Sequence, residues 1–145
     1  MNNTALVRAI YDNFNARDFD ATLALATPDV TLTNVPLGAT LHGPEGFRQF
    51  LEGWATAFSD AQVEVTNVID GGDQVVVEFT GRGTHDGPFL TPAGPIPGTG
   101  RKVDVHFCDV WTLRDGRVAT ARTYFDAATL LAQLGVMPSP EAATV

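Results

Sequence analysis

Cysteine is almost missing from this chain. Cys108 stands alone among 145 residues, which excludes an internal disulfide framework and fits a reducing compartment such as the cytoplasm. Basic residues are also scarce, nine Lys and Arg against seventeen Asp and Glu, for a formal net charge of −8. Binding to phosphate backbones needs clustered Lys and Arg, so nucleic acid is excluded as a partner class and an anionic membrane surface is disfavoured. No apolar run approaches the ~20 residues of a membrane-spanning helix, and the start MNNTALVRAIYDNF lacks the basic-then-apolar order of a secretion signal. His42, His85 and His106 have no short zinc-type spacing, so no metal site is expected. Phosphate-binding glycine loops, a nucleophile elbow and solenoid repeats are likewise missing.

What is present is ordinary globular material, 44% hydrophobic and 18% charged, with length for one domain. The pattern predicts that domain over residues 1–137 and a flexible tail from Pro138. A helix is expected at residues 4–16, capped by Asn3 or Thr4, with Leu6, Val7, Ile10, Tyr11 and Phe14 as its apolar stripe. A second is expected from Phe19 to Ala26, ended by Thr27-Pro28, and then a strand from Val30 to Asn34. Pro44 opens a third helix running to about Phe58, with Phe47, Phe50, Leu51, Trp54 and Phe58 at helical spacing. Strands follow at residues 62–69 and 74–82. Residues 85–100, HDGPFLTPAGPIPGTG, read as a long Pro/Gly-rich loop, a sign of function or mobility. Asp126 can cap a last helix from Ala127 to Leu134, ended by Gly135. Helices first and antiparallel strands later give an α+β plan, with helices against one face of a curved sheet and a pocket between them.

The most informative segment is Val103-Asp104-Val105-His106-Phe107-Cys108-Asp109-Val110-Trp111. It alternates as a strand does, so Val103, Val105, Phe107, Asp109 and Trp111 share one face. Four large apolar residues select that face for burial, and a carboxylate goes in with them. A buried carboxylate must be paired, hydrogen-bonded or protonated, since leaving it bare costs several kcal/mol or more. Asp109 is therefore either a structural ion-pair partner or part of an active site. Cys108 and His106 fall on the opposite face.

Arg114-Asp115-Gly116-Arg117 is a hairpin signal. With Asp115-Gly116 as a two-residue loop, Asp109 faces Arg122 and Phe107 faces Tyr124. A three-residue loop with a bulge shifts the register by one and turns Arg122 to the other face. The two-residue reading is preferred because it sets Leu113 against Val118 and Phe107 against Tyr124.

The segments YDNFNARDFDATLALATPDVTL, LHGPEGFRQFL, GTHDGPF with PGTGRKVDV, WTLRDGRVATARTYFD and LLAQLG together resemble the SnoaL-like branch of the NTF2-like superfamily, cone-shaped α+β domains. The resemblance implies a curved antiparallel sheet wrapped around N-terminal helices, a homodimer, and an apolar central pocket for a hydrophobic small molecule. Ketosteroid isomerase is a cousin within that superfamily, and its tyrosine, protonated acid and aspartate base are a worked case of tuned acidity. By motif its acid falls on Asp109, its tyrosine near Tyr11 and its base on Asn34. Asparagine takes no proton at neutral pH, so this chain departs from the isomerase there.

These residues compose three readings. The first is a cyclase or isomerase for a polyketide- or steroid-like carbonyl compound. In it Asp109 moves a proton, poised by Arg122, while Tyr11, Asn34 or Tyr124 steadies the enolate. No metal or organic cofactor is needed for that chemistry. The second is an epoxide hydrolase-like site in which Asp109, Arg122, Asn34 and Tyr124 activate water. The third is a binding domain without turnover. Trp54, Phe107 and Trp111 are expected as pocket walls or core, and His85 at the pocket mouth.

Overall fold

The computed structural model describes residues 1–137, so the tail expected from Pro138 lies outside the described residues. Helix α1 (Asn3–Asn15) carries the expected stripe, with Leu6, Val7, Ile10, Tyr11 and Phe14 all buried. Its cap is Asn2 rather than Asn3 or Thr4: the Asn2 Oδ1 accepts from the Ala5 amide at 2.7 Å, satisfying a first-turn donor. Helix α2 (Phe19–Leu23) is shorter than expected, and Asp18 caps it. Strand β1 (Ala26–Asn34) begins where the helix was expected to continue. Pro28 sits where the pairing of this strand is irregular, between Ala26 and Thr31, a place that tolerates the missing amide hydrogen. A short strand that sequence reading missed, β2 (Ala39–His42), leads into helix α3 (Gly43–Ala57).

The long strands β3 (Gln62–Gly71), β4 (Gln74–Thr84), β7 (Lys102–Arg114) and β8 (Arg117–Phe125) complete a six-stranded sheet with the order β2-β1-β8-β7-β4-β3. The curved sheet is antiparallel as expected except at the early strand, where β1 runs parallel to β8. The segment read as an irregular loop holds a small hairpin, β5 (Phe89–Thr91) and β6 (Gly94–Ile96). Phe89 is buried and its ring lies 5.5 Å from Trp54 and 6.1 Å from Phe58, so the hairpin is packed down onto α3. Helix α4 (Ala127–Gln133) is capped by Asp126, whose Oδ1 accepts from the Thr129 amide.

The sheet curves around α1 and α3, and the core lies between. Phe47, Val7, Val30, Val75, Val77 and Val118 are fully enclosed there. Two side-chain amides stand in for missing strand neighbours. Asn15 donates to the Val63 carbonyl at 2.9 Å and accepts from the Val63 amide at 2.8 Å. Gln133 does the same for Asp104, at 2.9 and 2.8 Å. Each pins a helix to strand backbone that would otherwise be unpaired.

Candidate functional site

The β7–β8 hairpin decides what surrounds Asp109. Its turn is the two-residue one, Arg114 opposite Arg117 and Leu113 opposite Val118. Beyond Val118 the register slips by one, so Thr112 faces Thr120 and Asp109 faces Thr123. Val118 and Ala119 are both buried although adjacent, the mark of a bulge that lets two consecutive residues point inward. The inward row of β8 then reads Ala119, Ala121, Thr123 and Phe125. Arg122 is moved opposite Val110 and Tyr124 opposite Cys108, on the outer face.

The expected Asp109–Arg122 ion pair is therefore not formed. Instead the Arg122 Nε donates to the Tyr124 hydroxyl at 3.2 Å near the surface. The physical reason is plain: the slip keeps a guanidinium out of an apolar interior, where its desolvation would cost several kcal/mol. Asn34 shares a cross-strand row with Asp109, both opposite Thr123, but makes no hydrogen bond to it. Its Oδ1 accepts from the Leu37 amide at 3.2 Å and closes the turn after β1. His85 is fully buried rather than at a mouth; its Nδ1 accepts from the Thr99 amide at 3.2 Å. Arg122, Tyr124, Asn34 and His85 do not line the cavity, so of the four residues expected to activate water only Asp109 is there.

Asp109, Tyr11, Trp54, Phe107 and Trp111 are brought together. They line a cavity of about 90 Å³ enclosed by α1, α3 and the inner face of β4, β7 and β8. Phe14, Phe50, Phe58 and Phe79 add further aromatic wall, and Gln62, Arg82 and Val103 also line it, beside a shallower surface depression they share with Lys102 and Asp104. The rings are closely fitted. Phe79 stacks on Phe107 at 5.0 Å, Tyr11 tilts against Phe79 at 5.0 Å, and Trp54 meets Phe107 edge-on at 5.6 Å. Gly81 makes room for this: a Cβ there would come within 2.9 Å of the Phe107 ring.

Three polar groups form a chain at one side of this apolar space. The Trp111 Nε1 donates to the Tyr11 hydroxyl oxygen at 2.8 Å, and that hydroxyl donates to Asp109 Oδ2 at 2.7 Å. Asp109 Oδ1 is buried and has no hydrogen-bond partner. The Thr123 hydroxyl favours the charged form from nearby, but makes no well-formed hydrogen bond to the carboxylate. Burial pushes the Asp109 carboxyl up to about 6, while Thr123 and Tyr11 pull against that rise. Burial, and then the neighbouring Asp109 charge, hold the Tyr11 hydroxyl protonated well above its usual range. Near neutral pH the site thus presents a largely ionised carboxylate with one free oxygen, ready to exchange a proton.

Sequence reading missed Thr123, Phe79 and the mouth residues Gln62 and Arg82. Ala119, Ala121, Thr123 and Phe125 alternate as a small apolar row that omits Arg122, and this signal pointed to the slipped register.

Comparison with known proteins gives the chain a family. A family model described as SnoaL-like polyketide cyclase matches residues 4–134, and the chain belongs to that family. Among solved structures, a protein from Jannaschia sp. CCS1 assigned as a SnoaL-like polyketide cyclase is 28% identical. It superposes with a TM-score of 0.81 and 92% of each chain covered. IdmH from Streptomyces antibioticus, assigned as a polyketide cyclase, is 28% identical with a TM-score of 0.73. There 91% of this chain and 97% of that one are covered. An NTF2-like protein of unknown function from Burkholderia pseudomallei is also 28% identical, TM-score 0.73, covering 92% of this chain and 98% of that one. No curated protein matched the sequence.

Proposed function

We propose that this SnoaL-like family member is an enzyme of the cyclase or isomerase type that acts on a hydrophobic carbonyl compound, with Asp109 as the group that moves the proton. The observation that carries the reading is the state of Asp109. It is a buried carboxylate inside an aromatic cavity, one oxygen held by Tyr11 and the other unpartnered, with its acidity weakened to about 6. General-base catalysis works best when the base titrates near the working pH.

In this reading the ionised Asp109 takes a proton through Oδ1 from the carbon beside a ligand carbonyl. The electron pair of the broken C–H bond passes into the enolate oxygen. As Asp109 becomes neutral, its hold on the Tyr11 hydroxyl weakens, and that hydroxyl becomes available to donate to the enolate oxygen. Trp111, donating to the Tyr11 oxygen, favours the developing charge along the same chain. Where the substrate carries a β,γ-double bond the enolate is a dienolate and takes the proton back at its far carbon, which is isomerisation; otherwise it attacks a second carbonyl. In the second case the alkoxide takes the proton from Asp109, which is an aldol-type ring closure.

The cavity is small for this family of substrates. Pockets for drug-sized ligands run to roughly 300–1,000 Å³, against about 90 Å³ here. A substrate would therefore insert one ring or arm bearing the reacting carbonyl, with the remainder at the opening beside Gln62 and Arg82.

The test is hydrogen exchange. A panel of cyclic and aryl ketones is incubated with the protein in deuterated water and the α-position is followed by NMR. Exchange above the buffer rate that is lost in Asp109→Asn, while ligand binding persists, is the expected result. Binding with no exchange above buffer across the panel would leave a receptor without turnover and end the enzymatic reading.

A further inference from the structure

The charge on Asp109 has no counterpart in the cavity. Among the described residues that line it, the titratable groups are Tyr11, Arg82 and Asp109 itself. Arg82 is exposed, and its charge is already engaged, by Asp104 at 3.0 Å and by Glu64 at 3.3 Å. Tyr11 has one proton and gives it to Oδ2. Oδ1 is buried and makes no hydrogen bond, the Thr123 hydroxyl favouring the charge from nearby without closing one.

An ionised carboxylate can only accept hydrogen bonds. A neutral carbonyl or ether oxygen also brings only lone pairs, so it cannot satisfy Oδ1. A neutral hydroxyl can donate to it, but a protonated amine does so through a charge-assisted N–H···O bond that is shorter and roughly twice as strong, and it also offsets the buried charge. The walls favour the same ligand. Tyr11, Phe79, Phe107, Trp54 and Trp111 bound the space around the carboxylate, and the faces of aromatic rings attract cations, more strongly where water is excluded. The limited volume, about 90 Å³, selects a compact cation over a polycyclic one.

We infer that the cavity binds a small apolar ammonium ion, a protonated tertiary amine whose N–H is donated to Asp109 Oδ1 and whose alkyl groups lie against the rings of Tyr11, Phe79 and Phe107. This requires only the placement of Asp109 and not turnover. Such an amine competes with a ketone for the same oxygen, so it inhibits any α-proton exchange catalysed there.

The binding has a definite pH dependence. The amine needs the ionised form of Asp109, whose carboxyl titrates at about 6. Tyr11 stays protonated far above that range and does not compete. Affinity therefore rises with pH and levels off above neutrality, by about tenfold between pH 5 and pH 7.5.

Calorimetry with trimethylammonium chloride at both pH values, in two buffers of different ionisation heat, tests this directly. The neutral compound of similar shape, tert-butanol, serves as the control. Expected are the tenfold rise for the ammonium ion, about half a proton released per ion bound at pH 6, and a much weaker pH response for tert-butanol, whose hydroxyl can bond either form of the carboxyl. In Asp109→Asn the pH dependence of ammonium binding disappears. If that variant does not fold, the wild-type proton release and the ammonium-to-alcohol comparison decide. Ammonium binding that is absent, flat with pH, or no tighter than that of tert-butanol overturns the inference.

Discussion

Replacing Asp109 with asparagine should make the protein more stable at alkaline pH, and by a calculable amount. The carboxyl titrates at about 6 in the folded chain against an ordinary 3.8. Between those values the unfolded chain has released the proton and the folded chain still holds it. Stability then falls as pH rises, by about 1.4 kcal/mol per pH unit for one proton. The difference between the two values is roughly two units, so the ionised Asp109 costs the native state about 3 kcal/mol above pH 7. Asparagine keeps the shape and can still accept from Tyr11, but it never ionises. Urea unfolding of wild type and Asp109→Asn at pH 4 and pH 8 isolates this effect. Asp29, Asp60, Asp86 and Asp126 have carboxyls held below their usual range by hydrogen bonds. They stabilise in the opposite sense, losing their contribution as pH falls, and cancel because both proteins contain them. The stability gained by the substitution should be about 2–3 kcal/mol larger at pH 8 than at pH 4. An equal effect at the two pH values would show that Asp109 titrates normally, and the account of the site would fall with it.

Tyr11→Phe removes the donor to Oδ2 and leaves the Trp111 N–H without an acceptor. The acidity of Asp109 should weaken further, moving the rising limb of any activity-against-pH curve upward from about 6, with a stability loss of about 1–3 kcal/mol. Arg122→Ala touches only the outer face. It should change stability by less than about 0.5 kcal/mol and leave α-proton exchange intact; a large loss of exchange would restore the discarded ion pair. Gly81→Ala sets a methyl within 2.9 Å of the Phe107 ring, which displaces that ring into the cavity, so ligand affinity should drop while the far-ultraviolet circular dichroism is unchanged. Phe47→Ala empties a fully buried site and should cost about 3–5 kcal/mol in urea unfolding.

The helical stripe of α1 and the inward row of β7 were legible because periodicity alone decides them. Tyr11 and Asp109 were both identified, although nothing in the sequence says that they touch across 98 positions. The partner of Asp109 was misassigned because a turn fixes register only as far as the first irregularity. The slip beside Ala119 arises from packing, and local turn chemistry is silent about it. Strand β1 was misread at its start because Thr27-Pro28 reads as a helix stop, whereas here the proline occupies an irregular stretch of strand. Strand β2 is four residues long and largely exposed, so it has no hydrophobic alternation to announce it. His85 was expected at an opening because Gly83-Thr84-His85-Asp86-Gly87 reads as a turn, but the Thr99 backbone reaches it only after the chain folds back.

The two amide plugs have a consequence for traffic at the opening. Val63 borders the cavity and lies on an outermost strand, and Asp104 follows Val103, which also borders it. Bare backbone at such a rim would be a docking rail for the extended peptide of any passing chain. Because Asn15 and Gln133 occupy both rails, an intruding β-segment finds no free N–H or C=O at these two points. The rim at those points is closed to strand addition and left to side chains.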